Sequence, residues 1–223
     1  MKVIIGREAS RPDARPVASV TMKLVDDPTA ALAGLPIEDG GLTGMDAVGW
    51  LDSTWVLHDF ELEVAREPAS DLVWERRRWA DVASEPISPR LQSSTRPPSS
   101  WLLPRELGGT TTEGSMQGES VRGLLEVLAG VTRVTDTCYA FYAQMTTWDF
   151  DSLALYEMSW DVPHVFGSVN LPSSSPSNLW PADKSWFVWT DYDLCATKVS
   201  GSPELITAVR THALLETVEW PRD

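Results

Sequence analysis

The chain is poor in the residues from which most catalytic and metal sites are made. Its 223 residues include only two cysteines and three histidines. Cys138 and Cys195 share no CxxC spacing, which excludes a disulfide framework and a zinc knuckle. Each sits in an apolar stretch, where a free thiol behaves as a small buried hydrophobe. A nucleophilic role would need a base or an electropositive niche beside it. His58, His164 and His212 form no HxH, HExxH or HxxxH pair, so a histidine metal site would have to be assembled from distant segments. The glycines of AALAGLPIEDGGLTG match neither GxGxxG nor a P-loop, and no Lys-Ser/Thr follows them. GESVRG offers a serine but puts arginine where a nucleophile elbow needs its second glycine. These gaps lower the expectation of an enzyme without closing it, because active sites also assemble without local motifs. No metal and no cofactor is expected.

Basic residues are the other scarcity, with 18 Lys and Arg against 32 Asp and Glu and a net charge of −14. Such a field repels phosphate backbones and anionic membranes and attracts basic partners. Nucleic acid and membrane are therefore not expected as partners; a basic protein is. The same excess also serves solubility alone. Arg76, Arg77 and Arg78 form the one basic cluster, and in so acidic a chain it is expected to pair with local carboxylates. No apolar run approaches membrane-spanning length, and MKVIIGREASRP lacks the apolar core of a signal peptide. The expected compartment is the cytoplasm.

Tryptophan is abundant. The 11 indoles point to a generous core, to aromatic clefts, or to both. The length suits one large domain, or a domain with a lobe, that buries its apolar surface without disulfides. Residues 1–83 read as an N-terminal strand and helix region, 84–100 as a Pro/Ser-rich loop or linker, and 101–223 as an α+β core, with a single domain overall as the alternative. The segment SEPISPRLQSSTRPPSS at 84–100 is the clearest connection; LPSSSPSN at 171–178 is a shorter one.

Along the chain, residues 1–16 read as an arm, Val17–Val25 as a strand and the glycine-broken stretch after it as turns. From Trp55 to Val64 the alternation of apolar residues predicts a strand. Leu72, Val73, Arg76 and Trp79 fall at helical spacing and predict a short amphipathic helix from Asp71. Val121, Leu124, Leu125 and Leu128 predict a helix from Glu119 that stops at Gly130. CYAFYAQM from Cys138, LALYEMSW from Leu153 and VPHVFGSVN from Val162 read as three strands. WFVWT at 186–190 is apolar on both faces, the mark of a doubly covered central strand. Ser202, Pro203 and Glu204 supply the start of a last helix with Leu205, Ile206 and Val209 on its buried face. Strands outnumber helices without alternating with them, so the expected class is α+β: a mostly antiparallel or mixed sheet with two or three packed helices.

One stretch concentrates candidate site residues. NLWPADKSWFVWTDYDLC carries three tryptophans and two aspartates one residue apart. If the strand continues past Thr190, Asp191 and Asp193 share a face and stand as paired carboxylates beside aromatic walls. If TDYD is a hairpin turn, the aspartates cap backbone amides and point into water; the turn is the favoured reading. The candidate binding residues are Asn178, Trp180, Trp186, Trp189, Asp191 and Asp193.

The run SPSNLWPADKSWFVWTDYD, followed by TKVSGS and a Pro-started helix, resembles a group of uncharacterised actinobacterial proteins. There, a Ser-Pro-Asn-Leu-Trp segment precedes an Asp-x-x-Trp strand and an acidic-x-Asp pair. WADVA at 79–83 and the 113–128 run resemble that group's middle region. The resemblance implies a shared fold and no activity. The leading expectation is a non-enzymatic interaction protein, immunity-like or regulatory, that presents an acidic, aromatic surface to a basic protein. The alternative is a small-molecule-binding protein or hydrolase-like enzyme with a Trp-walled pocket and the aspartate pair.

Overall fold

The computed structural model of the chain describes residues 23–27, 29–39, 45–65, 72–82, 109–142, 154–160 and 175–219. The expected arm at 1–16, the Pro/Ser segment 84–100, the strand at 162–170 with His164, and most of Val17–Val25 lie outside these residues.

In chain order the N-terminal half holds β1 (Lys23–Leu24), α1 (Thr29–Leu32), β2 (Ile37–Asp39), β3 (Met45–Ala47), β4 (Asp52–Leu57), β5 (Phe60–Ala65), β6 (Leu72–Arg77) and α2 (Trp79–Val82). The remainder holds β7 (Gly109–Thr111), α3 (Gly118–Ala129), β8 (Thr137–Tyr142), β9 (Ala154–Ser159), β10 (Asn178–Pro181), β11 (Phe187–Thr190), β12 (Ala196–Gly201), α4 (Pro203–Thr211) and β13 (Thr217–Val218). The large sheet runs β1-β9-β8-β10-β11-β12-β4-β13, with antiparallel pairing between neighbours. A three-stranded antiparallel sheet, β6-β5-β7, and the β2-β3 pair complete an α+β fold.

The doubly apolar β11 is buried along its length, in the interior of the large sheet. Its side chains divide by parity, as those of any strand must. Val188 joins Val56, Leu179 and Val199 in a core with Leu124, Leu128, Leu205, Ile206 and Val209 from α3 and α4. Phe187 and Trp189 join Trp55, Leu57 and Trp180 on the other face, where Ala31, Leu35, Phe60 and Trp79 pack. Each such side chain contributes about 1.5–3 kcal/mol through burial, so both faces hold the sheet.

β1 and β4, from the expected N-terminal region, share the large sheet with strands that follow residue 101. β4 pairs with β12 over six positions, Asp52 opposite Gly201 through Leu57 opposite Ala196. The long-range pairing ties the two sequence regions into one hydrogen-bonded layer.

Three sequence expectations are corrected. The stretch from Trp55 to Val64 is two strands in two sheets, broken at His58–Asp59. β4 buries both faces, Val56 on one and Trp55 and Leu57 on the other, and the chain changes sheet at the break. The helix expected from Asp71 is instead the strand β6 followed by the single turn α2. Leu72, Val73 and Trp74 suit a pleated surface, and pairing of Phe60–Ala65 with Leu72–Arg77 overrides the helical spacing. The glycine-broken stretch expected as turns holds α1 and the β2-β3 pair. Among the described residues no helix is long and apolar enough to cross a membrane.

Candidate functional site

Buried polar side chains gather at one end of the large sheet. Of the twelve buried polar residues among those described, nine (His58, Thr111, Ser115, Ser120, Ser177, Asn178, Thr190, Asp191, Thr197) lie where β4 and β11 end and β10 and β12 begin, or on the 111–120 segment bonded there. Burying a polar group without a partner is costly, so such a cluster has to be internally bonded.

His58 is its centre and is fully buried. Its backbone N–H donates to the Cys195 carbonyl at 2.8 Å, and its own carbonyl accepts from Trp79 Nε1 at 2.7 Å. The ring nitrogens lie 2.6 Å from the Thr112 carbonyl oxygen (Nδ1) and 2.9 Å from Thr197 Oγ1 (Nε2). Burial pushes the ring down to about 4 from its ordinary 6.5, against the Thr112 hydrogen bond and the Asp59 charge, so the imidazole is neutral at pH 7. A carbonyl oxygen only accepts, so Nδ1 carries the proton and Nε2 accepts from Thr197. Thr197 Oγ1 lies 2.7 Å from Thr190 Oγ1, and with its own proton committed it accepts from Thr190. The result is a directed chain: Thr190 to Thr197 to His58 to the Thr112 carbonyl.

Asp59 occupies the next position and does a different task. Its Oδ2 accepts from Glu119 N at 2.8 Å, and its Oδ1 accepts from Arg76 Nε at 2.8 Å and from Ser120 Oγ. A carboxylate at a helix start satisfies amides and meets the positive end of the dipole. Asp59 therefore fills the anion position of α3 from a distant strand end. Gly118, at φ +60, permits this approach: a Cβ there would stand 2.5 Å from Asp59 Oδ2. Arg76 also bonds Glu119 at 2.9 Å and the Leu214 carbonyl at 2.8 Å, which ties β6 to both helices' neighbourhoods. The expectation that the arginine cluster pairs with local carboxylates holds for Arg76 and for Arg77, bonded to Glu75; Arg78 bonds the Ala213 carbonyl.

The TDYD stretch is a turn. Asp191 Oδ1 accepts from Asp193 N at 3.1 Å, and Leu194 N bonds the Asp191 carbonyl at 3.2 Å. Asp193 is exposed, but Asp191 is buried, against the expectation that both face water. Gly114, at φ +68, lies directly on this turn: its N–H bonds the Leu194 carbonyl, and a Cβ would meet Tyr192 Cα at 2.7 Å. Asp193 holds the Tyr192 phenol above its ordinary range, first through a hydrogen bond and then through its charge.

The remaining candidates do not form one wall. Trp180 and Trp189 belong to the face packed by Phe60 and Trp79, whereas Trp186 belongs to the helix-covered face and bonds Thr132 Oγ1 at 2.9 Å. Trp180 stacks between Tyr139 and Phe187, with centroids 5.7 and 5.5 Å away. Asn178 is buried on β10 and donates to the Val188 carbonyl at 3.3 Å.

His58 and Asp59 carried no motif in the sequence. The signal that marks them is a change of sheet in mid-alternation, visible only once the partners are known. Both thiols are buried; burial pushes Cys138 up to about 12 and also raises Cys195, which removes thiolate chemistry at neutral pH. Among the described residues no group of three or more His, Cys, Asp or Glu is placed to hold a metal ion. No protein-family model, curated protein or solved structure matches this chain, so the geometry of the site stands alone as the ground for a functional reading.

Proposed function

We propose that the chain is a non-enzymatic interaction protein that offers an acidic surface to a basic protein. The observation that carries this reading is the division among its charges. Arg76, Arg77, Arg122, Arg133, Lys198 and Arg210 are each paired with a carboxylate of the chain itself. Asp26, Asp27, Glu61, Asp81, Asp183, Asp193 and Glu204 are exposed and make no ion pair among the described residues. Among the described residues most cations are thus engaged internally, and the exposed, unpaired charge is mainly carboxylate. Such a field raises association rates with basic partners and weakens with salt. Aromatic anchors supply the affinity at such surfaces. Trp180, Trp186 and Trp189 are buried; among the described tryptophans the anchor offered is Trp74, 48 % exposed on β6.

The pocket alternative has less support. Trp186 lies on the opposite face from Trp180 and Trp189, and of the aspartates one is buried and the other exposed. Capture of proteins from native lysate at low and at high salt tests the interaction reading. A stoichiometric basic protein is expected at low salt, reduced at high salt and lost with Trp74→Ala. Recovery of no stoichiometric protein at either salt overturns it.

A further inference from the structure

One dipeptide, His58–Asp59, joins the two sheets, because β4 ends before it and β5 begins after it. The His58 ring bonds run outside both strands, to Thr112 after β7 and to Thr197 on β12. These bonds suit one protonation state. A second proton, on Nε2, would face the hydroxyl proton of Thr197 head-on. Thr197 would then have to turn its proton to Thr190, and Thr190 would need an acceptor of its own. The whole chain of hydroxyls must reverse before a charged ring fits.

The segment that closes over this chain meets the turn and the 175 loop through backbone and hydroxyl groups. Gly114 N donates to the Leu194 carbonyl at 3.0 Å, and Gly114 packs on the Tyr192 backbone. Thr112 Oγ1 bonds the Ser115 carbonyl at 2.6 Å within the segment, and Ser115 and Ser175 exchange hydrogen bonds with each other's loops. The Thr112 carbonyl is the bond through which the ring itself holds this segment.

We propose that His58 is an acid-operated latch between the two sheets: charging its ring opens the contact between residues 112–116 and the 191–194 turn, while the large sheet and α4 stay formed.

The groups that face the ring set its direction. From its own chain Asp59 favours the charged form, but that carboxylate is already engaged by Arg76 of β6 and by the first amides of α3. Glu119 of α3 is bonded to the same Arg76. Glu113 follows Thr112 in the closing segment, and the Cys195 thiol, just before β12, is held neutral by burial. Burial outweighs the favourable charge, and the closed ring refuses the proton down to about pH 4. In the open form the ring regains its ordinary value of 6.5. The open form thus binds more protons between 6.5 and about 4, so opening grows by about tenfold per pH unit as pH falls through that window and levels off below it.

Amide exchange by NMR, corrected for the intrinsic rate, reads this directly in the intact chain. The Gly114 amide is expected to lose protection by about tenfold per pH unit below 6.5, while Ile206, bonded to Ser202 in α4, keeps its own. The His58 ring is expected to remain the neutral Nδ1–H form at pH 5 in the closed state. His58→Gln should remove the pH dependence of Gly114; if that variant does not fold, the wild-type titration decides alone. Exchange at Gly114 that ignores pH, or that rises together with Ile206 as one global event, overturns the latch.

Discussion

The two long helices begin in opposite ways. α4 is capped by the residue before it: Ser202 Oγ accepts from Leu205 N at 3.3 Å, and Pro203 takes the first helical position. α3 has Gln117 in that place and no side-chain cap of its own. Its first amides are taken by Asp59, with Glu119 lying 60 positions further along the chain. The first start is local and can form as soon as the segment does. The second exists only after β4 and β5 have brought Asp59 to the helix. A borrowed cap couples secondary structure to the joint between the sheets, whereas a local cap concerns its own helix.

The largest expected effect tests the borrowed cap. Asp59→Ala leaves two helix amides and the Ser120 hydroxyl without their acceptor, and it strips Arg76 of one carboxylate. The carboxylate is only 10 % exposed, so water replaces little of this. We expect a loss of about 3 kcal/mol in denaturant-induced unfolding, the range for breaking a buried, hydrogen-bonded ion pair. Asp59→Asn should lose less, because it still accepts from an amide. A loss below about 1 kcal/mol for the alanine variant would show that α3 holds its own start and would erase the contrast.

The local cap should respond on a smaller scale. Ser202→Ala is expected to cost about 1 kcal/mol, and Ser202→Gly only a few tenths, as at other helix starts. The effect should stay within α4: amide protection near Leu205 falls while that of α3 is unchanged. If both helices lose protection together, the two starts are coupled and the distinction fails.

The same contrast explains what could be read without coordinates. The start of α4, the stop of α3 at Gly130 and the central position of β11 are carried by neighbours in sequence, and each was legible. The α+β class, with a mostly antiparallel or mixed sheet, follows from counting such segments. The strand β6 was not legible. Its residues Leu72 to Arg77 fit a helix by spacing, and only pairing with Phe60–Ala65 decides between the two. Arg76 sat on the supposed apolar face of that helix; in the fold it reaches Asp59, Glu119 and the Leu214 carbonyl, all distant in sequence. The site divides likewise. The Asp191 turn was legible because its bonds span two or three residues. The split of Trp186 from Trp189 follows from parity, three residues apart around the start of β11, while the register that sets Asn178 opposite Trp189 puts Trp180 on the Trp189 face; a single Trp wall overlooks both. His58 was missed because its partners, Thr112 and Thr197, lie 54 and 139 positions away.

The smallest expected effects are at the TDYD turn, where two aspartates one residue apart have different surroundings. Asp191 is buried, and its Oδ1 accepts from Asp193 N within the turn, so Asp191→Ala removes a local cap and should cost about 1 kcal/mol, as Ser202→Ala does. Asp191→Asn keeps an acceptor and should cost less. Asp193 is exposed, and its side chain interacts with the Tyr192 phenol beside it. Asp193→Ala should therefore change stability by no more than about 0.5 kcal/mol, the usual range for a surface position. It should be visible instead in the phenol: with the hydrogen bond and the charge removed, Tyr192 titrates at lower pH than in the parent chain, which ultraviolet difference spectra can follow. Partner capture from lysate then assigns the turn. Retention by both Asp193→Ala and Asp193→Asn makes it scaffold, with the acidic contact elsewhere on the surface. Loss in both, at unchanged stability, places Asp193 in the interface. A stability loss at Asp193 larger than that at Asp191 would contradict the burial of the two side chains and break the distinction between a capping and a solvent-facing aspartate.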